Sequence, residues 1–398
     1  MSETTYRAAW VVPVSAPPIR DAFVSVRDGR VRAVGPIAER TLGPAVTEID
    51  LGRTILMPGF VNAHTHLELS NLAGAVPGDR GFVAWIEDQL RVRAERGSDR
   101  IPAAIAEAIA AMESSGTVAV ADVSNSLAAI PSLIASSLHA VVLHEILGVD
   151  PAKAAAVADA AAALRAQNPG APPRVRVEVA AHAPHSISRE LFALLASRDS
   201  IRSIHVAESR SETTFLRDGG GDWRGFLDRR VGPVPFAAPG LSPVRYLDSL
   251  GVLTPGVLAV HCVHIDADDA NILADRKAVA VLCPRSNEYL GNGTPPLALL
   301  AGSGVALALG TDSLASCSSL DVLDDARFLA KKFARVPRDV IFRALTRGGA
   351  EALRFDDLGD IRPGSRTRFA AMAFEGEAPR DPIAFVLNDT APARGLAA

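Results

Sequence analysis

Between residues 55 and 311 the chain repeats one pattern, an apolar β-prone run followed in most cases by a segment of helix-forming residues. The runs fall at Ile55–Asn62, Thr117–Val123, His139–Ile146, Arg174–Ala181, Ile201–Ala207, Val257–Val263, Val279–Cys283 and Val305–Thr311. Helix-compatible segments include Ile101–Ser114, Pro151–Gln167, Arg189–Ser197, Ala267–Asp275 and Ser319–Phe333. Eight such repeats over roughly 300 residues are what a closed (β/α)8 TIM barrel, an α/β fold, requires. The rival is an open doubly wound sheet, which would carry a Gly-rich phosphate loop after its first strand. Here the first strand runs into His64-Thr65-His66 instead, so a barrel is expected over residues 55–356.

Both chain ends read differently. From Tyr6 to Leu51 there are short β runs with turns between them, and Asp28-Gly29 marks a hairpin within Phe23–Val34. The last fifty residues carry matching runs, RTRFAAMAF and PIAFVLN, also read as strands. One small β-sandwich built from both termini, residues 1–54 and 357–398, is the economical expectation. The stretch Gly219–Gly240 reads as a long loop of the kind that lines barrel mouths.

Composition removes several function classes. Of the 398 residues 48% are hydrophobic, enough for a large core. A net charge of −4 with scattered arginines argues against a nucleic-acid binder. No apolar run approaches 18 residues, so no membrane span is expected. The N-terminal MSETTYRAAW lacks the charged and apolar regions of a signal peptide. Cys262, Cys283 and Cys317 form no CxxC and read as buried, reduced thiols, which fits a cytoplasmic protein.

Chemistry concentrates where apolar strands end. The first strand ends in His64 and His66, two residues apart and therefore on one face of an extended segment, as a metal ion needs. The fourth ends in His182 and His185, the fifth in His205 and Glu208, the sixth in His261 and His264, the eighth in Asp312. Seven of the nine histidines occupy these positions. Barrel enzymes work at the C-terminal ends of their strands, so these residues should converge. Imidazoles with one carboxylate suit Zn²⁺ or Fe²⁺ and leave a position for water, whose pKa such a metal lowers towards about 7. Taken singly, Asp312 could cap a helix and Glu208 could be a surface carboxylate.

The motifs PGFVNAHTH, APHS, HVAE, HCVH, SNEYLGNG and GTDS, in this order, resemble the amidohydrolase superfamily, and within it the ATZ/TRZ-like deaminase branch. The resemblance covers nearly the whole chain. It implies one divalent transition metal per chain, zinc before iron, held by His64, His66, His205 and Asp312. Glu208 and His261 would be the catalytic pair around the bound water, with Asp312 assisting. The fourth strand, Arg174–Ala181, lacks the lysine whose carbamate bridges two metals in dinuclear relatives, which favours aromatic deamination.

For the substrate side the resemblance suggests Glu68, His185, Ser286 and Asn287. Nucleoside relatives carry a glutamate in a FEEWL-like segment, whereas this chain reads Phe82-Val-Ala-Trp-Ile86. That departure moves the expectation from S-adenosylhomocysteine towards aminodeoxyfutalosine, an intermediate of menaquinone synthesis, and HTHLE points the same way. S-adenosylhomocysteine, methylthioadenosine or adenosine, or another aromatic ring, is the alternative. Arg91 and Arg93 could meet a substrate carboxylate or simply form a solvated helix face. The partner expected is thus a small nucleoside-type substrate, with a homodimer possible. A non-catalytic binding protein on the same barrel would have lost Glu208, His261 or Asp312, and all three are present.

Overall fold

The computed structural model describes residues 3–40 and 46–396. Two compact units emerge, one of Met1–Asn62, Ala110–Ala119 and Asp321–Ala398, the other of Ala63–Ile109 and Val120–Leu320. In the first unit both chain ends build a seven-stranded mixed sheet. Its strands are β1 (Glu3–Val11), β2 (Ile19–Arg27), β3 (Arg30–Pro36), β4 (Val46–Asp50), β5 (Thr54–Pro58) and, from the C-terminal region, two strands at Phe369–Ala373 and Arg394–Leu396. The expected hairpin is there: Arg27 pairs with Arg30 across Asp28-Gly29, both at positive φ. Tyr6, Val24, Leu56 and Phe369 pack into one apolar core on this sheet.

PIAFVLN is not a strand. It forms a helix, Pro382–Asn388, because Asp381 accepts the Ala384 N–H as an N-cap and Pro382 occupies the first turn. A seven-residue apolar run is ambiguous by periodicity alone, and the cap decides it.

The eight-stranded parallel sheet consists of β6 (Phe60–Thr65), β7 (Thr117–Ser124), β8 (His139–Ile146), β9 (Val175–Ala181), β10 (Ile201–Val206), β11 (Leu258–His261), β12 (Val279–Leu282) and β13 (Ala306–Leu309), paired in sequence order. A parallel bridge between Thr65 and Asp312 brings the end of the last strand back beside the first, so the sheet closes into the expected barrel. Six of these strands, β6, β7, β8, β10, β11 and β12, are buried at every position, as parallel strands covered on both faces must be. The three cysteines are buried and unpaired with one another. Among the described residues no helix is long and apolar enough to cross a membrane.

The expected first strand, Ile55–Asn62, is in fact two. At Pro58-Gly59 the chain leaves the terminal sheet and β6 begins. A Cβ on Gly59 would lie 2.2 Å from Val118 Cγ1, so no side chain fits this crossing. The stretch Gly219–Gly240 also departs from expectation: Gly221–Arg230 is a helix with Trp223, Phe226 and Leu227 buried. Its apolar residues recur three and four apart, which gives one face to bury.

Gly59→Ala should destabilise the protein by about 1–3 kcal/mol through overpacking against Val118. A lowered midpoint in chemical denaturation with unchanged slope checks this; an unchanged midpoint would mean that the crossing has slack.

Candidate active site

Each side chain of the site stands at the C-terminal end of a barrel strand or just beyond it. His64 belongs to β6, His66 follows it, His205 lies on β10, His261 ends β11, and Asp312 lies three residues past β13. Backbone bonds fix their spacing. The His64 carbonyl accepts the N–H groups of Thr311 and Asp312 at 3.0 and 3.1 Å, and Thr65 Oγ1 donates to the Asp312 carbonyl at 2.9 Å. Asp312 Oδ1 then lies 3.9 Å from His64 Nε2 and 3.7 Å from His66 Nε2. His64 with His205 and His261, His64 with His66 and Asp312, and Glu208 with His261 and Asp312 each bring their donor atoms within 4.8 Å of one another. The backbone is bent to do this: His261 has φ 75° and Asp312 φ 63°, values that few residues other than glycine adopt.

The donor set fits a divalent transition metal. Burial, with the neighbouring histidines adding to it, pushes His64 and His205 well below the usual histidine range, so both rings are neutral as metal ligands must be. His205 Nδ1 donates to the His182 carbonyl at 2.8 Å, which fixes the tautomer and leaves Nε2 with its lone pair. Asp312 Oδ2 accepts from Ser286 Oγ at 2.6 Å, so Oδ1 is left for the cluster, and Ser286 in turn meets Ser316 at 2.8 Å.

His261 is likewise held below its ordinary value, chiefly by burial, and its Nδ1 donates to Asn287 Oδ1 at 2.9 Å. In the neutral ring Nε2 can therefore accept a proton; it lies 3.7 Å from Glu208 Oε2. Glu208 is buried. Its environment, burial first and then the charges of Asp312, Glu212 and Glu145, raises its carboxyl well above the ordinary range and favours the protonated form. Asn292 Nδ2 reaches Glu208 Oε1 at 3.4 Å, and Glu212 holds the Glu208 backbone N–H at 2.8 Å.

A cavity of about 430 Å³ opens over this cluster and is lined by His66, His205, Glu208, His261 and Asp312. Glu68 also lines it. Its carboxylate is saturated by Ser124, Ser126, Asn125 and Arg93, and these contacts outweigh burial and hold its pKa below the ordinary value. The other three substrate expectations do not reach the cavity wall. Ser286 and Asn287 are fully buried and hold Asp312 and His261 respectively. His185 sits edge-on to Trp223 at 4.3 Å, and its carbonyl accepts the Trp223 indole N–H, so it supports a wall of the cavity. Arg91 pairs with Asp88 and Glu95 on an exposed face, whereas Arg93 lines the cavity.

Sequence reasoning missed Glu145. Burial pushes its carboxyl up to about 7; it lies 3.6 Å from His205 Nδ1 and accepts from Asn125 at 3.0 Å. An acidic residue inside the apolar run HAVVLHEI was the available signal. His182, noted at a strand end without a role, has its Nδ1 2.6 Å from Ser186 Oγ and lines the same cavity.

A closed barrel with a histidine–aspartate cluster at its strand ends defines a metal-type hydrolase site, and over residues 55–396 the chain matches the Amidohydrolase family, to which it belongs. It is a hydrolase acting on C–N bonds. It is similar to the 5-methylthioadenosine/S-adenosylhomocysteine deaminase of Pelotomaculum thermopropionicum, 30% identical over 94% of this chain and 86% of that one. The aminodeoxyfutalosine deaminase of Deinococcus radiodurans is 34% identical over 74% of this chain and 72% of its own length. Among solved structures, Helicobacter pylori aminofutalosine deaminase in complex with methylthio-coformycin superposes with a TM-score of 0.85 at 24% identity, covering 98% of this chain and 97% of that one. An adenosine deaminase from Xanthomonas campestris with bound zinc gives 0.78 at 24% identity, covering 98% and 89%. At such identities these two likenesses speak for the fold.

A Cβ on Gly310 would lie 2.7 Å from His64 Cβ and 2.9 Å from the His64 carbonyl oxygen. Gly310→Ala should therefore displace His64 and weaken metal retention by about 10–100-fold, the range typical for disturbed ligand support. Metal content per chain after dialysis against graded chelator reads this directly, and wild-type retention would show that the ligand spacing tolerates the shift.

Proposed function

We propose that this chain is a metal-dependent hydrolytic deaminase of an adenine-type nucleoside, with aminodeoxyfutalosine as the first choice of substrate. The observation that carries the reading is the meeting of His66, His205, Asp312 and the proton-handling pair His261 and Glu208 on one cavity floor, with His64 directly beneath it. The relatives named above, deaminases of adenosine-type compounds, support the same reaction. The methylthioadenosine, S-adenosylhomocysteine and adenosine readings share that support, and the long match to the Pelotomaculum enzyme favours keeping them.

His64, His66, His205 and Asp312 would hold one cation, zinc before iron. Such a cation acidifies a water towards neutrality, at about pKa 7, so that a nucleophile exists at physiological pH. The residues then divide the protons between them. His261 Nε2, bare because Nδ1 donates to Asn287, accepts the proton of the attacking water. Glu208, buried and favouring its acid form, gives a proton to the ring nitrogen beside the reacting carbon. A C–O bond forms at that carbon. Glu208, now a carboxylate, takes the proton of the new hydroxyl as the carbonyl forms and passes it to the exocyclic amine. The C–N bond breaks and ammonia leaves, and the water proton held on His261 Nε2 returns to Glu208, 3.7 Å away. Water and amine are consumed; carbonyl and ammonia are produced. Asn292 and Glu212 orient the Glu208 carboxyl and backbone for this transfer.

Glu208→Gln should lower the turnover number for ammonia release about 10²–10⁴-fold while leaving the metal content at the wild-type level. Turnover equal to wild type would remove Glu208 from the proton path. Chelation should abolish activity and added Zn²⁺ restore it; activity that survives exhaustive metal removal would refute metal dependence.

A further inference from the structure

We infer that the outer half of the active-site cavity is an apolar subsite for the 5′ substituent of the nucleoside, selecting an aryl or alkyl group over a zwitterionic amino acid. The inference rests on the deaminase reading, because it uses the placement of the reacting carbon at the histidine–aspartate cluster. Exposure gives the depth axis of the cavity. His64 is fully buried beneath the floor, whereas Leu147 and Val231, which line the same cavity, are 44% and 48% exposed and form its lips. With the adenine amine at the floor, the ribose 5′ position faces outward.

What it meets there is hydrocarbon. Ile86 and Leu90 on the helix Phe82–Arg96 and Val149 on the segment after β8 pack on an apolar cluster that includes Trp85, Trp223, Phe226 and Leu227. All of these face the cavity, and Leu147 and Val231 extend the same surface to solvent. Large side chains left this exposed are otherwise few among the described residues, and an apolar patch at the mouth of a binding cavity is the expected mark of a ligand's apolar end. The charged groups of this outer wall are already matched: Asp150 and Lys153 pair at 3.4 Å, and Arg93 is engaged by Glu68 at 3.2 Å. A homocysteine-type group would bring an ammonium and a carboxylate to a wall whose charges already pair with one another. The apolar surface between them gives its hydrocarbon chain no more contact than an aryl group and its charges no dedicated partner.

The test compares ammonia release from 5′-phenylthioadenosine, 5′-methylthioadenosine, adenosine and S-adenosylhomocysteine by the wild-type holoenzyme. The phenylthio compound should exceed S-adenosylhomocysteine in kcat/KM by at least about tenfold, the lower end of what an apolar pocket gains from added hydrocarbon. Leu147→Asp and Val231→Asp, at exposed positions that the fold tolerates, should each cut the phenylthio-to-adenosine ratio several-fold. Calorimetric binding of 5′-phenylthioinosine, which has no amine to lose, gives a readout independent of turnover, and both variants should weaken it. Turnover of adenosine with S-adenosylhomocysteine equal or preferred overturns the apolar subsite and leaves the deaminase reading intact. The absence of turnover on all four compounds, with 5′-phenylthioinosine bound and loosened by both variants, keeps the subsite and overturns the deaminase reading.

Discussion

The structure depends on one joint: the His64 carbonyl receiving the N–H groups of Thr311 and Asp312. These bonds bring the end of the last barrel strand to the end of the first, residues nearly 250 positions apart. The same two residues, His64 and Asp312, carry metal-type donors. Closure of the sheet and assembly of the site are therefore one event. The price of that economy is local strain, visible in the positive φ of Asp312 and His261 and in the lack of room for any side chain at Gly310.

Electrostatics follow from burial around this joint. Four histidines, His64, His182, His205 and His261, are pushed below their ordinary range because charging them in a dry interior is unfavourable and each would repel the others. The carboxyls of Glu145 and Glu208 move the opposite way for the same reason. The outcome is a floor of neutral rings and protonatable acids, which suits both cation binding and proton traffic near neutrality. Hydrogen bonds then assign roles among identical rings: the His182 carbonyl orients His205, and Asn287 orients His261.

Much of this was legible in the chain. Buried parallel strands need unbroken apolar runs, so polar residues at their ends stand out, and His64, His66, His205, Glu208, His261 and Asp312 were found that way. Residues that support them were not, because their partners depend on which strands lie side by side. Glu145 lies on β8 and Asn125 just past the end of β7, and Ser286 reaches Asp312 across 26 positions. Ser286 and Asn287 were read in the right segment but turn towards Asp312 and His261. The helix Gly221–Arg230 was hidden by the four glycines before and inside it, Gly219, Gly220, Gly221 and Gly225, although Trp223, Phe226 and Leu227 carry its spacing. Pro382–Asn388 was hidden by its shortness.

The bond from Asp312 to the His64 carbonyl has one more outcome. A cation held, as proposed, by His64 and Asp312 on either side of that joint would work as a clasp on the barrel, because it would bind the closed arrangement and gain nothing from an open one. On that reading, metal loading and closure of the sheet would be thermodynamically linked. A chain short of metal would then lose more than its chemistry: the seam at the catalytic rim would be held by backbone bonds alone.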